Sequence, residues 1–90
     1  MRTIFKYALP TQDRVTFVLP KGAEILKIDV QLDQPFIWAL INPEAASEER
    51  FFRVAGTGHP IEDKNLKFID TFQMHGGDLV FHVFEIIEKV

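Results

Sequence analysis

The chain of 90 residues contains no cysteine. That absence removes disulfides, thiolate catalysis and every cysteine-based zinc site at once. Serine occurs once, at Ser47, in an acidic stretch without nucleophile-elbow glycines, and the threonines sit in no catalytic motif. Nucleophilic catalysis therefore has no visible carrier. Long apolar runs are missing too. The longest, Phe36 to Ile41, falls far short of the ~20 residues a helical membrane span needs. The opening segment Met1-Arg2-Thr3-Ile4-Phe5-Lys6-Tyr7 breaks its apolar residues with charge and holds no signal-peptide core. Excess positive charge is also lacking. Ten Lys and Arg against thirteen Asp and Glu give a net charge of −3, so no nucleic-acid partner held by charge is expected. These absences point to a soluble cytoplasmic protein that is not attached to a membrane.

What the chain does contain is aromatic and aliphatic mass. Nine Phe, one Trp and one Tyr stand in a composition that is 47% hydrophobic and 26% charged, which is globular and not disordered. No linker, repeat or low-complexity tract divides it, so residues 1–90 read as one domain. Period-two alternation runs through almost the whole length, while helical periodicity is scarcely visible. Leu26, Ile28, Val30 and Leu32 point one way against Lys27, Asp29 and Gln31, the sharpest half-buried strand in the chain. Strands are expected over residues 2–9, 14–19, 24–32, 36–41, 51–55, 68–74 and 79–87, punctuated by Pro and Gly. Residues 36–41 are apolar on both faces and so belong at the centre of a sheet. Asp33-Gln34-Pro35 and His75-Gly76-Gly77-Asp78 are the expected hairpin turns. Residues 43–49 form the one credible helical stretch, one or two turns behind Asn42 as N-cap. The fold class is all-β: a small, mostly antiparallel barrel or sandwich of about seven short strands with at most one short helix. Trp38 and Phe81 are expected to be buried.

Three histidines are the side chains that titrate near neutrality. His82 lies mid-strand and reads first as a core histidine bonded to backbone; His59 and His75 occupy glycine-bordered loops. Their spacing matches no metal-ligand pattern, so no metal and no cofactor is expected. Glu48-Glu49 and Glu62-Asp63 read as solvated charges. The one loop with a ligand chemistry is Gly56-Thr57-Gly58-His59-Pro60, directly after a strand. Its glycines expose backbone N–H groups that could form an anion-holding nest, with Arg53 just upstream and His59 within. There is no phosphate-loop lysine and no following helix, so a structural turn is the competing reading. The candidate ligand residues are Arg53, Gly56, Thr57, Gly58 and His59, with Trp38 for stacking. Nine Phe are also more apolar supply than one small core readily hides, and strands 36–41 and 79–87 are two-sided. A homo-oligomer is therefore expected, with Phe84, Ile86 and Ile87 in the contact.

Several separated blocks carry a resemblance. Met1 to Tyr7 with Leu9, Leu19-Pro20-Lys21-Gly22-Ala23, Ile25-Leu26 and Trp38-Ala39-Leu40 make its first half. Gly56-Thr57-Gly58-His59-Pro60-Ile61, Phe72-Gln73, Gly76-Gly77 and Leu79-Val80-Phe81-His82-Val83-Phe84-Glu85 make its second. Together they resemble a family of short proteins, a domain of unknown function, encoded by bacteriophages, prophages and their bacterial hosts. Residues 86–90 extend as a tail beyond the resemblance. The chain departs from the family pattern at Asp70 and Asp78, where small residues are usual. The resemblance carries no catalytic residues. It implies a phage or prophage accessory protein, made in the bacterial cytoplasm, that binds a host or phage protein. A small anionic, nucleotide-like ligand at the Gly56–Pro60 loop is the alternative. A phage structural role and a histidine-dependent enzyme rank below both; the chain is expected not to be an enzyme.

Overall fold

The computed structural model describes residues 1–87. Seven strands follow one another: β1 (Thr3–Ala8), β2 (Arg14–Pro20), β3 (Glu24–Gln31), β4 (Gln34–Ile41), β5 (Ser47–Gly56), β6 (Leu66–Met74) and β7 (Leu79–Ile86). They build two antiparallel sheets, a three-stranded one in the order β1-β4-β3 and a four-stranded one in the order β2-β5-β7-β6. The sheets lie face to face in a slab of 39 × 35 × 16 Å, whose thin dimension fits two layers. This is a sandwich. The barrel alternative fails because β1 and β2 form no ladder with each other, so the wall never closes.

Alternation decides which side chains enter the core. In β4, Pro35, Ile37, Ala39 and Ile41 point inward and are buried, while Phe36, Trp38 and Leu40 point outward and are half-buried. Its two-sided apolar character does put it at the centre of its sheet. Leu9, Val15, Ile28, Ile37, Phe52, Val54, Phe72 and Val83 form the main core cluster; Leu19, Ala23, Ala39 and Ile41 form a second, with Phe17 and Ile25 packed against both. Edge-to-face contacts run from Tyr7 to Phe17 and on to Phe52, with ring centres 6.2 and 5.7 Å apart. Phe81, partly buried, stacks on Phe72 at 5.4 Å. Trp38 is not the buried core aromatic expected of it. It lies on the outer face of β4, where Lys6 reaches over from β1, its Nζ 5.5 Å from the indole and 4.4 Å from the Phe36 ring.

Two local expectations are corrected. Residues 43–49 are not helical. Asn42 Oδ1 does accept from the Glu44 backbone N–H, as an N-cap would at its second residue, but the chain then turns and enters β5 at Ser47. Charge hid this strand: its inward positions include Glu48 and Arg50, which are polar where a core strand is normally apolar. Arg50 nevertheless joins the two layers. Its guanidinium donates to both Glu85 carboxylate oxygens, at 2.7 and 2.8 Å, and to the Ala23 carbonyl at the start of β3. Glu85 holds the Arg50 pKa above its ordinary value through that hydrogen bond. Second, Leu26 and Leu32 do not share the inward face of Ile28 and Val30: Leu26 is the extra residue of the bulge after Ile25, and Leu32 lies beyond β3 in the turn, both exposed.

Both expected hairpins form, the first with its turn at Leu32-Asp33 and not at Asp33-Gln34-Pro35, because Gln34 and Pro35 already pair within β4. Leu32 and Asp33 connect β3 to β4 with φ of 49° and 63°, the signs a type I′ turn demands of both central residues. Glycine meets that demand freely; an exposed Leu32 does so under strain. Between β6 and β7, His75, Gly76 and Gly77 take φ of 53°, 67° and 98° within a single 3₁₀ turn.

The two lateral seams of the sandwich differ. Where β3 meets β6, each strand carries a bulge, after Ile25 and after Phe68. Asp70 bridges the seam: Oδ2 accepts from the Ile28 N–H at 2.9 Å and Oδ1 from the Thr71 N–H at 2.8 Å. The next outward amide of β3, Val30, donates to Asp29 Oδ1 at 2.8 Å. Two carboxylates thus cap the outward edge of β3. Backbone hydrogen bonding holds Asp29 below its ordinary pKa of 3.8, with Lys27 adding to the effect. Where β1 faces β2, Tyr7 touches Phe17 but no carboxylate lies between the strands.

Candidate functional site

Residues 56–59 form a β-turn, with His59 N–H donating to the Gly56 carbonyl at 3.0 Å and Gly58 at φ 87°. Gly56 has a packing reason to lack a side chain: a Cβ there would sit 3.0 Å from two atoms of the His59 ring, which folds back over the turn. The Thr57 N–H donates to the Val80 carbonyl at 3.1 Å, tying the turn to β7. Two of the N–H groups a nest would use are therefore already occupied.

Arg53 is occupied as well. It donates to the carbonyls of Val54 at 2.6 Å, Asp13 at 3.3 Å and Pro60 at 3.1 Å, and its Nε lies 3.5 Å from Asp63 Oδ1. Its side chain is only 11% exposed. Arg53 pins the 57–63 loop to the Asp13 turn and offers no free fork to an incoming anion. Arg14 completes the arrangement, 2.7 Å from Asp63 Oδ2, and this hydrogen bond is the main cause that holds the Asp63 carboxyl below its ordinary 3.8. Trp38 belongs to the other sheet, on the face turned away from this loop. The structure gathers Gly56, Thr57, Gly58 and His59 in one turn, with Arg53 behind it as a strut, and leaves Trp38 out. An anion arriving at this turn would find the Thr57 and His59 amides and the Arg53 guanidinium already partnered.

His82 also departs from expectation. It is half-buried on the outer face of the four-stranded sheet, not in the core, and its partners are side chains. Nε2 lies 2.8 Å from Thr57 Oγ1 and Nδ1 2.9 Å from Thr71 Oγ1. Thr57 Oγ1 also reaches the Val80 carbonyl at 3.4 Å. Each ring nitrogen thus has a hydroxyl partner, with donor and acceptor roles set by the tautomer. The cluster stitches β6, β7 and the turn together. Beside it, Gly56, Thr57, His59, Asp78, Leu79, Val80 and Phe81 line an open cleft of about 280 Å³. Among the described residues no group of three or more His, Asp or Glu is placed to hold a metal ion.

The same sheet face changes character two residues further along. The ladder sets Ala55, His82 and Thr71 in one outward row, and Arg53, Phe84 and Phe68 in the next. By continuation, Phe51, Ile86 and Leu66 form a third row, which Thr16 extends onto β2, with Val18 one row beyond opposite Glu49. Phe68 is 55% exposed, Val18 61% and Phe51 39%; Phe84 packs edge-to-face on Phe68 with centres 5.6 Å apart. The solvent side of an antiparallel sheet is normally polar, so this end is a genuine apolar patch. Of the expected contact residues, Phe84 and Ile86 lie in it. Ile87 follows at the strand end, 40% exposed, its N–H bonded to the Asn65 carbonyl at 2.7 Å. Val18, Phe51 and Phe68 were missed. Alternation was the signal, since each faces outward from a strand whose other side feeds the core.

A family model matches residues 1–89, and the chain belongs to that family, a domain of unknown function designated DUF7352. The match includes residues 86–89, so all of the expected tail except Val90 lies inside the family region. Searches of curated proteins and of solved structures return no match.

Proposed function

We propose that the chain is a non-enzymatic binding module, phage- or prophage-encoded and acting in the bacterial cytoplasm, that docks on a host or phage protein. The observation behind this reading is the apolar end of the four-stranded sheet, where Val18, Phe51 and Phe68 stand exposed around half-buried Phe84, Ile86 and Leu66. Exposed aromatic residues on a rigid sheet match what the buried centre of a protein interface uses, large area at small entropic cost. Arg14 and Arg53 continue the Phe84 and Phe68 row onto β2 and β5 and border the patch there. Among the described residues no helix is long and apolar enough to cross a membrane. The phage context rests on the resemblance alone. The anionic-ligand alternative keeps the cleft beside His59 but loses its donors, because Arg53 and the Thr57 and His59 amides already have partners.

The test is a photocrosslinking residue in place of Phe68, irradiated in cells. The expected result is an adduct with one protein other than the chain itself, abolished when Phe51→Ser is added and retained with Glu62→Gln. Adducts indifferent to Phe51→Ser, or none beyond self-crosslinks, would contradict the reading.

A further inference from the structure

Four strands end the two sheets, and two of them resist further pairing. β3 is bulged and its outward amides at Ile28 and Val30 are capped by Asp70 and Asp29. β6 is bulged after Phe68, and the Thr71 amide is capped by Asp70. β1 carries Lys6 at its middle, but the ammonium reaches across the sheet to Gln31 and the Phe36 ring and leaves that edge bare. Bulges, charges and covered amides are the devices that keep sheet edges from joining.

β2 is neither bulged nor capped, and its one outward cation, Arg14, is paired with Asp63. Lys21 N–H bonds to the Ala46 carbonyl and Val54 N–H to the Asp13 carbonyl, which fixes the odd-numbered residues of this ladder as those bonded to β5. The backbone groups of Arg14, Thr16 and Val18 therefore point away from the sheet. No described group donates to or accepts from them. Pro20, which has no N–H, occupies the next outward position and ends the open run. From Val15 to Leu19 the strand holds no charge, and its ladder with β5 is unbroken.

We infer that β2 is a pairing edge and that its occupant is β2 of a second copy of this chain. The segment is self-complementary. An antiparallel two-fold through Thr16 sets Thr16 against Thr16, a favourable cross-strand pair, and Arg14 against Val18, with no like charges opposed. Arg14 is already matched in charge by Asp63, 2.7 Å away. On the inner side Val15 meets Phe17. Six backbone hydrogen bonds close across the axis by the alternation of an antiparallel ladder. The four-stranded sheets fuse into one of eight strands, Val18 is covered, and the apolar ends of the two sheets become one surface. A dimer with Phe84, Ile86 and Ile87 at its centre is the competing arrangement.

Light scattering coupled to size exclusion, over a dilution series through the micromolar range, tests the inference. The wild-type chain is expected at twice the 10.4 kDa of one copy. Thr16→Lys combined with Val18→Lys should halve that mass while the circular dichroism spectrum stays unchanged, because both side chains are exposed. Ile4→Lys on β1 and Phe68→Ser on the apolar patch should leave the dimer intact. A wild-type monomer throughout, a dimer that survives the double lysine variant, or a dimer lost through Ile4→Lys or Phe68→Ser would each overturn it. Loss of patch crosslinks with the dimer intact would fault the proposed docking face and not this edge.

Discussion

The two seams of the sandwich are built from similar strands and treated in opposite ways. At the β3/β6 seam one aspartate satisfies an amide on each strand, a second aspartate caps the next amide along, and both strands are bulged. At the β1/β2 seam a single aromatic contact, Tyr7 with Phe17, spans the layers and the strand edges stay bare. A small sandwich can leave a seam unlatched only if its layers are held together elsewhere. Here Arg50 does so, reaching from β5 to Glu85 within its own sheet and to Ala23 across the core. The open seam is then free to serve assembly while the closed one keeps the fold.

The comparison can be broken most severely at that cross-layer link. Arg50→Met strands Glu85, which is 9% exposed, without its partner, and the expected loss is about 3–5 kcal/mol in urea unfolding. Restoring neutrality with Glu85→Gln in the same chain should recover part of it. If Arg50→Met changes the unfolding midpoint little, the layers are held by apolar contact alone. Next comes the sealed seam: Asp70→Ala leaves the Ile28 and Thr71 amides unpaired and should cost about 1–3 kcal/mol. Thr16→Ala at the bare edge, measured in dilute monomer, should stay within about 0.5 kcal/mol of wild type. Equal effects at the two seams would erase the distinction.

A gain is expected at the β3–β4 turn. Replacing Leu32-Asp33 with Asn-Gly relieves two left-handed residues and should add roughly 1 kcal/mol or more. A loss there would mean that Leu32 makes a contact its full exposure gives no sign of. The smallest effect is acid sensitivity at β2. The Asp63 carboxyl sits below its ordinary 3.8 because Arg14 hydrogen-bonds it. Its contribution is therefore complete above that value and is lost as pH falls through the lower folded value. Unfolding measured from pH 5 downward should show a shallower acid decline in Arg14→Gln than in wild type. Parallel declines would remove Arg14 from the account.

Much of this architecture was legible in the residues, and the exceptions share a cause. β3 could be read from Ile28 and Val30 alternating with Lys27, Asp29 and Gln31, but Leu26 and Leu32, expected on the same face, lie exposed in the bulge and the turn. The start of β5 could not, because Glu48 and Arg50 occupy inward positions and their partners, Gly22 and Glu85, are remote in sequence. Arg53 beside two glycines resembled an anion donor. Only the folded loop shows its guanidinium surrounded by the carbonyls of Asp13, Val54 and Pro60. His82 lies in an apolar run and suggested the core; which face of β7 it takes depends on the pairing of Val83 with Val54. Asp70 was visible as a departure from the family pattern, but its role needs β3 beside β6, a tertiary fact. Alternation reports which strands exist. It does not report which edges meet.

The difference between the seams is read most directly by amide hydrogen exchange at individual residues, in dilute monomer. The backbone amides of Ile28, Thr16 and Val18 all point outward from edge strands. The account predicts slow exchange at Ile28, because Asp70 holds its proton, and fast exchange at Thr16 and Val18. The slow rate should vanish in Asp70→Ala. An Ile28 amide exchanging as fast as Thr16 in the wild-type chain would contradict the account.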